Sequence, residues 1–156
     1  MKRRRLRGIA EINKYIESYV SKWDLYASID TDFAYDPTID TIFWTVLVSE
    51  ENDKAFQDFF EKLGCDVKTD VFVYSIFHEI GHSQTIDLVS DEDYNYSQDR
   101  KADPDITNDE YFNLPDEIIA SEWAVDYINN NIDEVENFWN GLIPLLMKFY
   151  KRNHIL

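Results

Sequence analysis

The sequence predicts an α+β fold, with a small β-sheet packed on helices inside a single domain spanning residues 1–156. Three observations carry that expectation. Residues 8–23 place Ile9, Ile12, Ile16, Tyr19, Val20 and Trp23 at helical spacing. Residues 25–49 hold two runs, "LYASIDTDFAY" and "IDTIFWTVLVS", around the turn signal "DPT". Helix-like patterns occupy most of residues 50–156.

Each later element has its own reason. The second strand run is nearly continuous in β-branched and aromatic residues, as a well-buried strand should be. "ENDKAFQDFFEKLG" opens with acids, carries Ala55, Phe56, Phe59, Phe60 and Leu63 on one side, and closes on Gly64. "DVFVYSIFHEIGHSQ" is too long for an ordinary strand, so it reads as a central helix that is apolar on most sides. Residues 84–113 are polar, acidic, weakly periodic and interrupted by Pro104, a long connection that is either functional or mobile. "LPDEIIASEWAVDYINN" restarts a helix with Pro115 near its first turn. The final helix, "DEVENFWNGLIPLLMKFYK", buries Val135, Phe138, Trp139, Leu142 and Leu146, with a kink expected at Pro144. The expected order is helix, hairpin, then four helices.

Composition narrows the function classes. Apolar residues make up 44%, with ten Phe, ten Tyr and four Trp, which excludes a disordered chain. A lone cysteine, Cys65, rules out an internal disulfide and points to a reducing, cytoplasmic setting. No apolar run approaches the roughly 18 residues of a membrane span, and the basic start "MKRRRLR" precedes no signal-type apolar core. Residues 1–7 read as a disordered basic tip. The net charge of −16 is uneven, since five of those seven residues are Lys or Arg. An acidic surface keeps a protein soluble and attracts basic partners. No nucleic-acid-binding segment is apparent beyond the basic tip, so neither nucleic acid nor membrane is an expected partner.

Two of the three histidines sit four apart in "HEIGH", with a glutamate between them. On a helix, residues i and i+4 share a face, so His78 and His82 can aim two imidazoles at one ion. Glu79 is rotated off that line, near enough to reach a metal-activated water without becoming a ligand. A single histidine on an apolar helix is usually a core residue with its ring N–H satisfied by a carbonyl. Two of them bracketing a glutamate favour a metal, because an ionised glutamate in an apolar helix is costly without a partner.

A catalytic zinc takes three protein ligands and keeps one position for water. Glycine and histidine three and six residues past His82 would make a longer motif, but Thr85 and Leu88 stand there. His154 and Asp87 are available but weakly motivated. Glu117 and Glu122 are better placed, and five residues apart on one helix they point about 140° from each other, so only one can face the ion. Glu117 shares its face with Ala120 and Ala124, whose small side chains let a second helix approach, and is preferred. Glu122 stays open because Asp126, four residues on, could orient a ligand histidine. Acids such as Asp116 and Glu117 also stabilise a helix start by themselves.

"HEIGH", followed by "EIIASEWA", resembles the gluzincin-type zincin metallopeptidases, and most nearly the compact ImmA/IrrE-like proteins. The resemblance implies His78, His82 and Glu117 as ligands of Zn2+, with Glu79 as general base. It further implies a sheet whose edge strand lies over the active-site helix and can pair with an extended peptide. The activity implied is zinc-dependent hydrolysis of a peptide bond. Such sites usually need a further donor for the oxyanion, and the sequence offers Tyr94, Tyr96, Tyr111 and Tyr127 without choosing among them, a tyrosine at any one position being more often packing than catalysis. A protein or peptide substrate rich in basic residues would suit the acidic chain. Two alternatives come from other classes. One is a zincin-like binding or regulatory protein without catalysis. The other is an acidic decoy of a nucleic-acid-handling protein.

Overall fold

A computed structural model of the chain describes residues 8–46, 50–65 and 70–154. Within them lie seven α-helices and a three-stranded mixed sheet, an α+β arrangement dominated by helix. The basic tip and the end of the second strand run fall outside the described residues.

Helix α1 (Ile9–Val20) continues into a 3-10 turn at Ser21–Trp23 and buries Ile12, Ile16 and Val20. Strands β1 (Tyr26–Ile29), β2 (Ala34–Asp36) and β3 (Thr41–Trp44) follow. The run expected as one strand is therefore two. Between them, Asp30 and Asp32 accept hydrogen bonds from the N–H groups of Thr31 and Phe33, at 2.7 and 3.0 Å. Such local side-chain bonds compete with a sheet ladder and end it. The hairpin is β2–β3, antiparallel, while β1 runs parallel to β3, which gives the order β1-β3-β2.

The two edges of this sheet are treated differently. Polar groups of α1 cover β1: Asn13 donates to the Ala27 carbonyl at 2.9 Å, and Glu17 accepts from the Ala27 N–H at 3.0 Å. Asn13 also accepts from the Trp44 indole at 2.7 Å, which ties α1 to the middle strand. Strand β2 is the other edge and borders a cleft.

Helix α2 (Glu50–Lys62) stops at Gly64, whose φ of +86° suits glycine, with the Cys65 N–H closing onto the Phe60 carbonyl at 3.1 Å. Helix α3 (Val71–Thr85) starts on Asp70, which caps the Phe72 N–H at 2.9 Å, and is buried without a break from Val71 to Gly81. It is surrounded by protein, which explains why its sequence has no polar stripe. Phe77 packs against Tyr19, Trp23, Tyr127 and Phe138, bringing α1, α3 and the last two helices into one aromatic core.

The 84–113 segment is not a structureless connection. After a 3-10 turn at Ile86–Leu88 it forms α4 (Asp91–Lys101) and the short α5 (Asn108–Phe112). Ser90 caps the Asp93 N–H and Thr107 caps the Glu110 N–H, both at 3.1 Å. Acids open α4 and Arg100 and Lys101 close it, complementing the helix dipole at both ends. Only Ser97 of α4 is buried, so the helix has no apolar face for a periodicity reading to find.

Helix α6 (Pro115–Asn130) has Pro115 in its first turn, and α7 (Ile132–Arg152) follows almost directly. Pro144 lies inside α7, which runs on to Arg152, and Trp139 is half-buried while Phe149 is buried. No helix among the described residues is long and apolar enough to cross a membrane.

Candidate metal centre

Helices α3 and α6 meet at a contact that only glycine permits. A Cβ placed on Gly81 would lie 2.3 Å from the carbonyl oxygen of Ala120 and 3.0 Å from its carbonyl carbon. The missing side chain lets α6 settle against the turn of α3 that carries both histidines. Ala120 and Ala124, fully buried, complete the close approach from the other side.

That approach brings three donor atoms together. Glu117 Oε2 lies 2.6 Å from His78 Nε2 and 3.1 Å from His82 Nε2, and the two Nε2 atoms are 3.2 Å apart. The triangle is small enough for one ion to stand at zinc–ligand distance, about 2.0 to 2.1 Å, from all three atoms. Two imidazoles and one carboxylate also form the donor set that suits zinc. His78, His82 and Glu117 could therefore hold the ion. Glu79 belongs to the same cluster, its carboxylate within 4.8 Å of both imidazoles.

The structure separates the residues that the sequence left open. Glu122 and Asp126 are exposed on the far side of α6, and neither meets a histidine. His154 is exposed beyond the end of α7, and Asp87 is exposed in the 3-10 turn. The orienting partner of His78 is Ser121, whose hydroxyl lies 2.9 Å from Nδ1. Ser121 is four residues after Glu117, so the same helical face argument could have found it. Phe56 and Phe60 of α2 meet the His78 ring edge-on or tilted and complete its apolar wall.

Lys101 gave no sequence signal. Its Nζ lies 2.7 Å from Glu117 Oε1 and 2.7 Å from Asp116 Oδ2, and it stands over the Tyr111 ring. The ammonium takes one oxygen of Glu117 and leaves the other facing the imidazoles. Burial, and then the negative charge of Glu117, raise the pKa of the Tyr111 hydroxyl. Of the other tyrosines, Tyr94 lines the cleft and Tyr96 does not, while Tyr127 points to the aromatic core and donates to Glu134 at 2.9 Å.

Above the cluster lies the cleft, of about 250 Å³. The β2 edge from Phe33 to Pro37 forms one wall, Tyr94 and Gln98 of α4 form another, and Glu79, His82 and Glu117 lie in its lining.

Burial and charge set the protonation of the cluster. Burial pushes the Glu79 carboxyl up, against the pull of the two imidazoles. Burial would also raise Glu117, but His78 and His82 override it and hold that carboxyl well below the ordinary range. Burial opposes a charged His82, yet Glu117 and then Glu79 outweigh it and lift the imidazole to about 9.

These shifts predict a pH dependence for the metal-free chain. The His82 pKa is raised on folding, so its contribution is complete below about 6.5 and is lost as pH rises through about 9. Glu117 is lowered on folding, so its contribution is present above about 4.5 and lost as pH falls. Denaturant titrations in chelator should show stability falling between pH 6.5 and 9. A flat profile over that range would contradict the His82–Glu117 pairing.

Compared with known proteins, the chain matches no family model, no curated protein and no solved structure.

Proposed function

We propose that this chain is a zinc-dependent peptidase of the gluzincin plan, with His78, His82 and Glu117 as ligands and Glu79 as general base. The observation that carries the reading is the meeting of three donor atoms, 2.6 to 3.2 Å apart, from two helices, with His82 and Glu117 lining a cleft. Zinc supplies a Lewis acid that polarises a carbonyl and lowers the pKa of water from 15.7 to about 7. The residues do the rest. Glu79, whose pKa is raised by burial, takes a proton from the attacking water and passes it to the leaving amine. Ser121 fixes the His78 ring through Nδ1, and Lys101 fixes the Glu117 carboxylate through Oε1.

The cleft and the charge point to the substrate class. Among the described residues, strand β2 pairs with β3 on one side only, so its other edge offers backbone groups to an extended peptide. The net charge of −16 favours segments with basic residues.

Metal content after chelation and zinc return tests the ligand set. Wild-type protein and Glu122→Ala should each take up one zinc per chain. Glu117→Ala should lose far more affinity than the 10- to 100-fold that Ser121→Ala, an outer partner, is expected to cost, roughly. Zinc retained by Glu117→Ala and lost by Glu122→Ala would reassign the third ligand. One zinc per chain with no hydrolysis of a basic peptide pool would make this a metal-holding binding domain instead.

A further inference from the structure

We propose that Lys101 is the donor that receives the negative charge developing on the substrate carbonyl oxygen, a catalytic role that rests on the peptidase reading. Amide hydrolysis needs a donor for that oxygen as well as a base for the water. Two of the cleft-lining hydroxyls are committed elsewhere. Tyr35 donates to Asp40 at 2.9 Å and Thr85 donates to the Gly81 carbonyl at 2.7 Å, while the Tyr111 ring lies beneath the Lys101 ammonium. Tyr94 is exposed at the rim, on a helix with only one buried residue.

Lys101 differs in every respect. It is the one lysine or arginine among the described residues that line the cleft. An ammonium has three N–H donors. Asp116 Oδ2 accepts one of them at 2.7 Å, Glu117 Oε1 forms an ion pair 2.7 Å from Nζ, and no further oxygen partner lies among the described residues. Two anchors hold the long side chain in place, so the remaining donor is preorganised and costs little entropy to use. Arg100 beside it pairs with Asp103 and Glu110 at 3.2 and 3.1 Å, which fixes the end of α4 that carries Lys101.

The step balances without a further reactant. Water oxygen bonds to the carbonyl carbon while its proton passes to Glu79. The carbonyl π pair moves onto oxygen, where the Lys101 N–H meets it as a hydrogen bond and no proton is transferred. Collapse re-forms the carbonyl and breaks the C–N bond. The amine leaves with the proton held by Glu79.

The test compares wild type with Lys101→Met, Lys101→Arg and Lys101→Gln, zinc-loaded, on a peptide selected from a cleaved basic pool. Lys101→Met should lower kcat by about 10²- to 10³-fold with KM unchanged and one zinc still bound. Lys101→Arg should recover part of that loss. A phosphinic analogue of the same peptide, which carries the anionic tetrahedral centre, should bind Lys101→Met more weakly by a similar factor. Lys101→Gln covers the case in which methionine prevents folding. Undiminished kcat in Lys101→Met or Lys101→Gln would overturn the inference and leave the peptidase reading standing. Loss of zinc in both variants would overturn it too, because Lys101 would then only prop Glu117. A wild-type chain that cleaves no peptide would sink the peptidase reading, and this inference with it.

Discussion

Glu79→Gln is expected to lower peptide hydrolysis by about 10²- to 10⁴-fold while one zinc stays bound. Glutamine keeps the shape of the side chain and loses the proton acceptor. Glu79 lies one residue from His78 on the same helix, and its carboxylate reaches both imidazoles without standing between them. The ligand triangle should therefore survive the change. Zinc content measured beside kcat separates a lost base from a lost metal. Equal turnover by wild type and Glu79→Gln would remove the base from the mechanism.

Gly81→Ala should be strongly destabilising. The new Cβ would stand 2.3 Å from a backbone oxygen of α6, and no rotamer change can relieve a clash with main chain. The two helices must separate, at a cost near the upper end for overpacking, about 3 kcal/mol, or roughly 6 to 12 °C in Tm. The same shift would carry Glu117 away from His78 and His82, so zinc affinity should fall with stability. Gly64→Ala is the control for the chemical change itself. It has open space around its Cβ but a φ of +86°, so it should cost only about 1 kcal/mol and leave zinc binding intact. A Gly81→Ala protein with wild-type Tm and zinc affinity would show that the helix approach is not tight.

The parts of the site legible in the sequence are those set by helical spacing. His78, Glu79 and His82 fall within one and a half turns, and their relation follows from helix geometry alone. The choice between Glu117 and Glu122 rests on the same geometry, because the face with Ala120 and Ala124 is the one that can pack closely. Ser121 was equally within reach, at the next turn of that face. The helices of the 84–113 segment were harder to read because caps and charges build them, and an amphipathic search looks for apolar stripes. The split of the first strand run has a similar cause, two aspartates that bond their neighbours' N–H groups and leave the overall composition strand-like.

By itself, then, the sequence determined an α+β chain and the candidate donors His78, Glu79, His82 and Glu117, because local periodicity decides which side chains share a helix face. Only the tertiary structure decided that β1 runs parallel to β3, that Ser121 holds His78, and that Lys101 reaches Asp116 and Glu117. Those contacts join residues brought together by packing between elements, and the distance between two helices is set by what fills the space between them. At the centre of this protein that distance is kept short by a glycine's missing side chain.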